Sequence, residues 1–256
     1  MKERITTDRH FNGMAEKFET SLYNHSRGRL RLALLTRAIE SSIPLTGQPL
    51  VDVGAGLGQM AQWASERGHP VTLLEPAEDM LAAARERLSG RDARFYQRDL
   101  QSLPDIAPGP WPLMFCHAVL EWLIDPRAAI DLLAEQMAPN GWLSLMVFNE
   151  DALRFSNVVK GNLQKVLDDQ LAGFGKRKRL TPISPLRHDD VVRWLEDAGL
   201  EVRAVTGIRV FHDYLRERDP DEATLERLFE LEHRYCQQEP YWRLGRYLHY
   251  SVYRPS

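Results

Sequence analysis

The sequence predicts an α/β protein built on a seven-stranded sheet, mostly parallel, with N-terminal covering helices and an insertion after strand five. Three observations carry this expectation. Leu50-Val51-Asp52-Val53 is a short apolar strand that runs directly into Gly54-Ala55-Gly56-Leu57-Gly58, where a tight turn opens a helix. From there to residue 149 short apolar runs alternate with helical patterns, the signature of a parallel sheet covered on both faces. The second run, Val71-Thr72-Leu73-Leu74, ends in Glu75. That places a carboxylate about 20 residues beyond the first glycine, the offset at which an acid meets a ribose.

The elements follow in order. Phe11, Met14, Ala15, Phe18, Leu22 and Tyr23 recur at helical spacing, and Leu30, Ala33, Leu34, Leu35 and Ile39 mark a second helix over 28–39. Arg31 stands among these apolar positions; its head either reaches solvent or faces a ligand carboxylate. Strands are expected at 50–53, 71–75, 93–97, 112–116 and 142–148, and helices at 57–68, 77–89 and 126–137. Pro139-Asn140-Gly141 forms the turn into the fifth strand. A helical stretch over Asp151–Leu171 and the run Lys176-Arg177-Lys178-Arg179 read as an insertion. A helix at Asp189–Ala198, a strand at Glu201–Phe211, a charged helix at Glu222–Gln238 and a strand at Tyr247–Tyr253 complete the sheet, with an antiparallel strand pair at its edge. The expected organisation is one domain over 1–256: a cofactor-binding core at 40–149, the insertion at 150–187 and a substrate-side half at 188–256.

The glycine turn is G-x-G-x-G. The dinucleotide fingerprint would need Gly or Ala at position 59, where Gln59 stands, so a nicotinamide oxidoreductase is the weaker reading. Asp52, two residues before Gly54, together with Gly54 and Gly56 resembles the first motif of the S-adenosylmethionine-dependent methyltransferases. An ordinary strand–turn–helix corner would use the same glycines. Asp99, Leu100 and Gln101 follow the third strand at the same sheet edge, where a polar side chain and flanking backbone can hold an adenine or simply form a loop before Pro104. His117 ends the fourth strand, either as a hydrogen-bonded core residue or as a group facing the cofactor.

Composition narrows the setting. The net charge is −3, which excludes a global basic field. Cys116 and Cys236 have no metal-ligand or disulfide-framework spacing, so no metal is expected. The N-terminus lacks an apolar signal core, and no run approaches the ~20 apolar residues of a membrane span. A cytoplasmic protein is expected.

Several blocks carry a more specific signal. His117-Ala118-Val119-Leu120-Glu121-Trp122, Lys176–Arg179, Gly207-Ile208-Arg209-Val210-Phe211-His212-Asp213-Tyr214-Leu215-Arg216, Arg234-Tyr235-Cys236-Gln237-Gln238-Glu239-Pro240-Tyr241 and Leu244-Gly245-Arg246-Tyr247-Leu248-His249 occur in this order. Together they resemble the bacterial tRNA 5-carboxymethoxyuridine methyltransferases nearly end to end. The resemblance implies a Rossmann-like methyltransferase sheet and S-adenosyl-L-methionine as cofactor. It also implies methylation of the 5-carboxymethoxyuridine carboxylate at tRNA position 34 to the methyl ester, with the anticodon stem-loop as partner. Cofactor contacts carry over to Arg31, Gly54, Ala55, Glu75, Leu100, Gln101 and His117. Ala55 departs from a third glycine and Glu75 from an aspartate.

A carboxylate with a pKa near ~4 needs no general base. One or two donors are therefore expected rather than a cage of arginines, with Arg209, His212 and Tyr214 as positioning candidates. Phe211 and Tyr241 are candidates for stacking on the base, Phe211 more readily as core packing. Lys176, Arg177, Lys178, Arg179, Arg243 and Arg246 are expected at phosphates. A methyltransferase for a small carboxylic acid, or a cofactor-binding RNA chaperone without catalysis, would use the same fold.

Overall fold

In the computed structural model the described residues are 7–20, 26–173, 181–216 and 220–256. Seven strands form one sheet: β1 (Leu50–Val53), β2 (Val71–Leu74), β3 (Ala93–Tyr96), β4 (Trp111–His117), β5 (Met137–Phe148), β6 (Glu201–Ile208) and β7 (Tyr247–Tyr253). Their order is β3-β2-β1-β4-β5-β7-β6. The pairs from β3 to β5 are parallel. β7 is antiparallel to both neighbours, lying between β5 and β6, so the edge strand is β6.

The helices are α1 (Ala15–Phe18), α2 (Ser26–Ser42), α3 (Gln59–Ser65), α4 (Glu78–Arg87), α5 (Leu103–Ile106), α6 (Pro126–Gln136), α7 (Glu150–Val159), α8 (Leu163–Leu167), α9 (His188–Asp197) and α10 (Glu222–Tyr235). Side chains alternate across the sheet with period two. Val51 and Val53 of β1 join Met114 and Cys116 of β4 in a core with Ile130 and Leu133 of α6 and Val191 and Leu195 of α9. Leu50, Leu113 and Phe115 face the other way, onto Leu30, Leu34, Leu35 and Ile39 of α2 and Leu225 and Leu228 of α10. Burial of each such α2 side chain contributes ~1.5–3 kcal/mol relative to exposure. That fixes α2 on the sheet, and with it Arg27 and Arg31.

Three expectations are corrected. The first N-terminal helix, α1, starts only at Ala15, so Phe11 lies before it. Phe11 nonetheless packs edge-on against Phe18 and Trp122, with ring centroids 5.1 and 4.8 Å apart, so its place in the apolar spacing records docking of an arm ahead of the helix. Leu22, Tyr23 and Lys176–Arg179 lie outside the described residues. The helix over Asp151–Leu171 is two pieces, α7 and α8, separated near Gly161, whose φ is +76°. The fifth strand begins at Met137, and Pro139–Gly141 lies within its span.

Among the described residues no helix is long and apolar enough to cross a membrane.

Candidate active site

The chain runs outward from β1 to β3, then returns to β4 on the other side of β1, creating a topological switch point at the carboxyl edge of the sheet. A cavity of about 290 Å³ lies there, near the lower end of the ~300–1,000 Å³ typical of small-molecule sites. Asp52, Gly54, Ala55, Gly56, Glu75, Asp99, Leu100, Gln101 and His117 all line it, so the structure gathers these sequence-separated groups at one edge.

Gly54 (φ +68°) and Gly56 (φ +55°) occupy left-handed backbone. A Cβ on Gly54 would sit 2.3 Å from Val119 Cγ2, so the loop can approach β4 only as glycine. A Cβ on Gly56 would meet nothing within 4 Å; its open side faces space a ligand can take. The loop is held from below by Glu75, whose two carboxylate oxygens accept from the N–H groups of Gly56 (2.8 Å) and Ala77 (2.9 Å). Each oxygen keeps capacity for a further donor. Burial raises the Glu75 pKa, opposed by these two N–H groups.

Asp52 is buried beside it, and its Oδ2 has no hydrogen-bond partner. Burial first, then the charge of Glu75, pushes its carboxyl up to about 7, while the Ala61 N–H pulls it down. In the unfolded chain the same carboxyl ionises near pH ~4. Between these values the folded state binds more protons than the unfolded one, so this group's stabilisation is lost as pH rises towards 7. Asp52→Asn removes that dependence. In thermal unfolding of the cofactor-free protein, the variant's Tm relative to wild type is expected to rise by a few degrees from about pH 5 to about pH 8. A pH-independent difference would refute the buried, protonated state.

His117 Nε2 meets Ser144 Oγ at 2.8 Å, and the same hydroxyl meets His249 Nε2 at 2.8 Å, a polar chain along one face of β4, β5 and β7. Burial holds His117 well below the ordinary histidine range and His249 down to about 3, so both rings are neutral. The single Ser144 proton serves one ring, and the other ring donates to Ser144. The Nδ1 of His117, in the cavity wall, has no protein partner.

The polar side chains on the Leu100 segment are committed to other groups of the protein. Asp99 accepts from Ser102 N–H (3.2 Å) and Oγ (2.6 Å), closing a 3-10 turn. Gln101 Nε2 donates to Asp8 (2.9 Å), and Asp8 also accepts from Ile124 N–H (2.7 Å). These bonds and Arg9 N–H to Trp122 O (2.9 Å) tack the N-terminal arm across the cleft, where Arg9, His10, Phe11 and Phe18 complete the wall.

The opposite end is cationic. Arg27, Arg31, Arg209 and Arg246 all line it. Arg209 is buried with φ +62° and binds Asp213 through two contacts, Nε to Oδ2 at 2.8 Å and Nη2 to Oδ1 at 2.9 Å. Arg31 Cζ lies 4.9 Å from the Tyr247 ring centroid, and Arg246 Cζ 4.3 Å from that of Phe148. Glu121 is also in this wall, buried, with Oε2 unpartnered and its carboxyl pushed by burial to about 7.

His212 and Tyr214 lie outside the cavity lining. The 3-10 turn His212–Tyr214 sends the Tyr214 hydroxyl to donate to Leu244 O (2.8 Å) and sets His212 Nε2 3.4 Å from Ser26 Oγ. Phe211 and Tyr241 pack on each other and on Tyr235, with centroids 4.8 to 5.7 Å apart; Tyr241 keeps an exposed edge. Arg243 is exposed and paired with Glu239, whereas Arg246 turns into the cavity. Arg27, Glu121 and Asp213 were not expected at the site. Each stands four residues from an expected one, Arg31, His117 or Arg209, and for Arg27 on a helix that spacing is a shared face.

A nucleoside cofactor with an amino-acid tail fits this wall. An acid and open backbone lie at one end, unpartnered buried polar atoms lie between, and arginines lie at the other end. Fold and site define a methyltransferase, and a methyltransferase-domain family model matches residues 23–205. The tRNA 5-carboxymethoxyuridine methyltransferases of Escherichia coli K12 and O157:H7 are each 38% identical over 258 residues, covering 97% of this chain and 97% of theirs. The chain belongs to this family of methyltransferases. Among solved structures, a chain from the Haloferax volcanii complex of the Trm112 methyltransferase activator with a methyltransferase superposes with TM-score 0.62 at 16% identity, covering 95% of both chains. An S-adenosylmethionine-dependent methyltransferase from Mesorhizobium loti gives 0.58 at 19% identity, over 88% of this chain and all (100%) of that one. At these identities the likeness is one of fold.

Proposed function

We propose that the chain transfers the methyl group of S-adenosyl-L-methionine to the carboxylate of 5-carboxymethoxyuridine at tRNA position 34, giving the methyl ester. The observation that carries this is the extent of the family match: at 97% of each chain it includes the substrate-side half as well as the glycine-loop core. An acidic acceptor also suits a cavity whose far end holds four arginines. Residues 40–149 serve as the cofactor core, 150–187 as an insertion and 188–256 as the substrate side. The anticodon stem-loop is the partner, and the cytoplasm, where tRNA is modified, is the setting. Lys176–Arg179 serve the RNA, as do Arg243 and the exposed edge of Tyr241 outside the cavity.

When bound, the cofactor supplies an electrophilic sulfonium methyl. Glu75 and the open face at Gly56 hold its ribose, Leu100 and Gln101 flank its base, and Arg31 and His117 meet its amino-acid end. The acceptor is already ionised at neutral pH, so no residue need remove a proton. The chain's work is to bring the nucleophile into line at contact distance and to exclude water, which the N-terminal arm does from above. Asp213 tempers Arg209, so the wall holds an anion without the full field of four cations, which would favour the ground state over the transition state.

The test is nucleoside mass spectrometry of tRNA bearing 5-carboxymethoxyuridine, incubated with purified protein and S-adenosyl-L-methionine. Conversion to the methyl ester is expected. An unchanged nucleoside profile, with S-adenosylhomocysteine formed only when small carboxylic acids are supplied, would move the acceptor to that class.

A further inference from the structure

The cavity's charges are segregated. Asp52, Glu75 and Asp99 stand on the first three strands' carboxyl edge, whereas Arg27, Arg31, Arg209 and Arg246 converge from α2, the loop after β6 and the turn before β7. The acids facing those arginines from the lining are Asp213 and Glu121. Asp213 is spent on Arg209. Glu232, beneath the loop, is engaged by three backbone N–H groups. Positive charge at this end therefore exceeds negative among the described residues. Gathering guanidiniums in a partly desolvated space costs free energy unless an anion joins them.

The electrostatic couplings show who shares this field. Arg27 is disfavoured first by burial, then by Arg209, and also by Arg246, with Asp213 opposing. Asp213 in turn is stabilised as a carboxylate by Arg209 first and then by Arg246. The four groups form one cluster. Arg31 is assigned above to the amino-acid end of the cofactor, and Arg209 is bound bidentately by Asp213.

We propose that Arg27 and Arg246 are the acceptor-recognition residues, binding the carboxylate of the wobble nucleoside beside the Arg209–Asp213 pair. This rests on the reaction proposed above. Two forked donors match the two oxygens of a carboxylate. The methyl ester formed in the reaction carries no charge, so the same arginines select acid over product and favour its release. Asn149 keeps Arg246 in place: its Nδ2 donates to the carbonyls of Arg243 (2.8 Å) and Gly245 (2.9 Å), just before Arg246.

The test compares binding, with S-adenosylhomocysteine present, of anticodon stem-loop RNAs whose wobble nucleoside is the free acid or its methyl ester. The wild-type protein is expected to bind the acid at least about 10-fold more tightly. Arg27→Gln and Arg246→Gln should each cut this ratio several-fold, and together bring it near one. Affinity for the ester RNA and for S-adenosylhomocysteine should stay within about twofold, which also reports intact folding. Arg246→Lys should retain part of the ratio. Equal weakening of both RNAs, ratio preserved, would overturn the proposal in favour of phosphate contacts. A parallel fall in S-adenosylhomocysteine affinity would overturn it in favour of a cofactor role. Wild-type protein that methylates no acid-bearing RNA would instead bring down the proposed reaction, an outcome distinct from either.

Discussion

Glu75→Ala is expected to weaken S-adenosylhomocysteine binding by at least about 100-fold, read by titration calorimetry. A buried carboxylate hydrogen bond to a donor is worth roughly 1.5–3 kcal/mol, and this carboxylate is placed to accept from a ribose while it holds the glycine loop. Its Oε2 fixes the Gly56 N–H at 2.8 Å and its Oε1 the Ala77 N–H at 2.9 Å. The alanine variant loses both anchors as well as the ribose acceptor. Glu75→Gln separates the two roles: one amide oxygen can still accept from one N–H, but the NH₂ group faces the other donor. It should therefore bind at an intermediate level and unfold at a temperature between those of the alanine variant and the wild type. Unchanged affinity in both variants would refute the assignment of Glu75 to the ribose. A loss confined to thermal stability, with affinity intact in the folded fraction, would make it a structural support only.

Much of the first half was legible because its signals are local. β1 and β7 begin and end where the apolar runs Leu50–Val53 and Tyr247–Tyr253 meet turn residues, as the pattern alone indicates. The offset from Gly54 to Glu75 is set by one βαβ unit, so it too is readable without three dimensions. What was not legible depends on neighbours distant in sequence. Alternation of hydrophobic residues marks β6 and β7 as strands but carries no record of which pairs with β5, and β7 takes that place. Phe11, Met14 and Phe18 repeat like a helix because they dock on Trp122 and on the cluster of Leu57, Ala77 and Met80. The cationic end of the cavity joins α2 to residues 209, 213 and 246, a contact between chain segments that no spacing announces. Local adjacency also misled: Arg209, His212 and Tyr214 fall in one block, yet the 3-10 turn at His212–Tyr214 keeps only Arg209 at the cavity.

Glu232→Ala is expected to be the most destabilising of the substitutions considered. In sequence Glu232 is one acid among several on a charged helix. In the fold its side chain is wholly buried and accepts from Val210 (2.6 Å), Phe211 (2.9 Å) and His212 (2.8 Å) N–H groups. It thereby ends β6 and holds Arg209 in its left-handed conformation, a strained state that persists only when its surroundings over-determine it. Burial pushes the Glu232 pKa up, while the N–H groups of His212, Phe211 and Val210 and then Arg209 draw it down. Removal leaves three backbone donors without an acceptor in a buried loop, at ~1–3 kcal/mol each. A loss of roughly 3–5 kcal/mol is expected by urea denaturation. Glu232→Gln keeps an acceptor oxygen and should lose less than half of that. Its diagnostic consequence is at the active site. With Arg209 released from its conformation, the Arg209–Asp213 pair shifts and KM for acid-bearing RNA should rise in the folded protein, while S-adenosylhomocysteine affinity holds. Wild-type stability in Glu232→Ala would mean that water replaces the carboxylate at these donors, and the loop would then be held by the Arg246 N–H to Arg209 O bond (3.1 Å) instead.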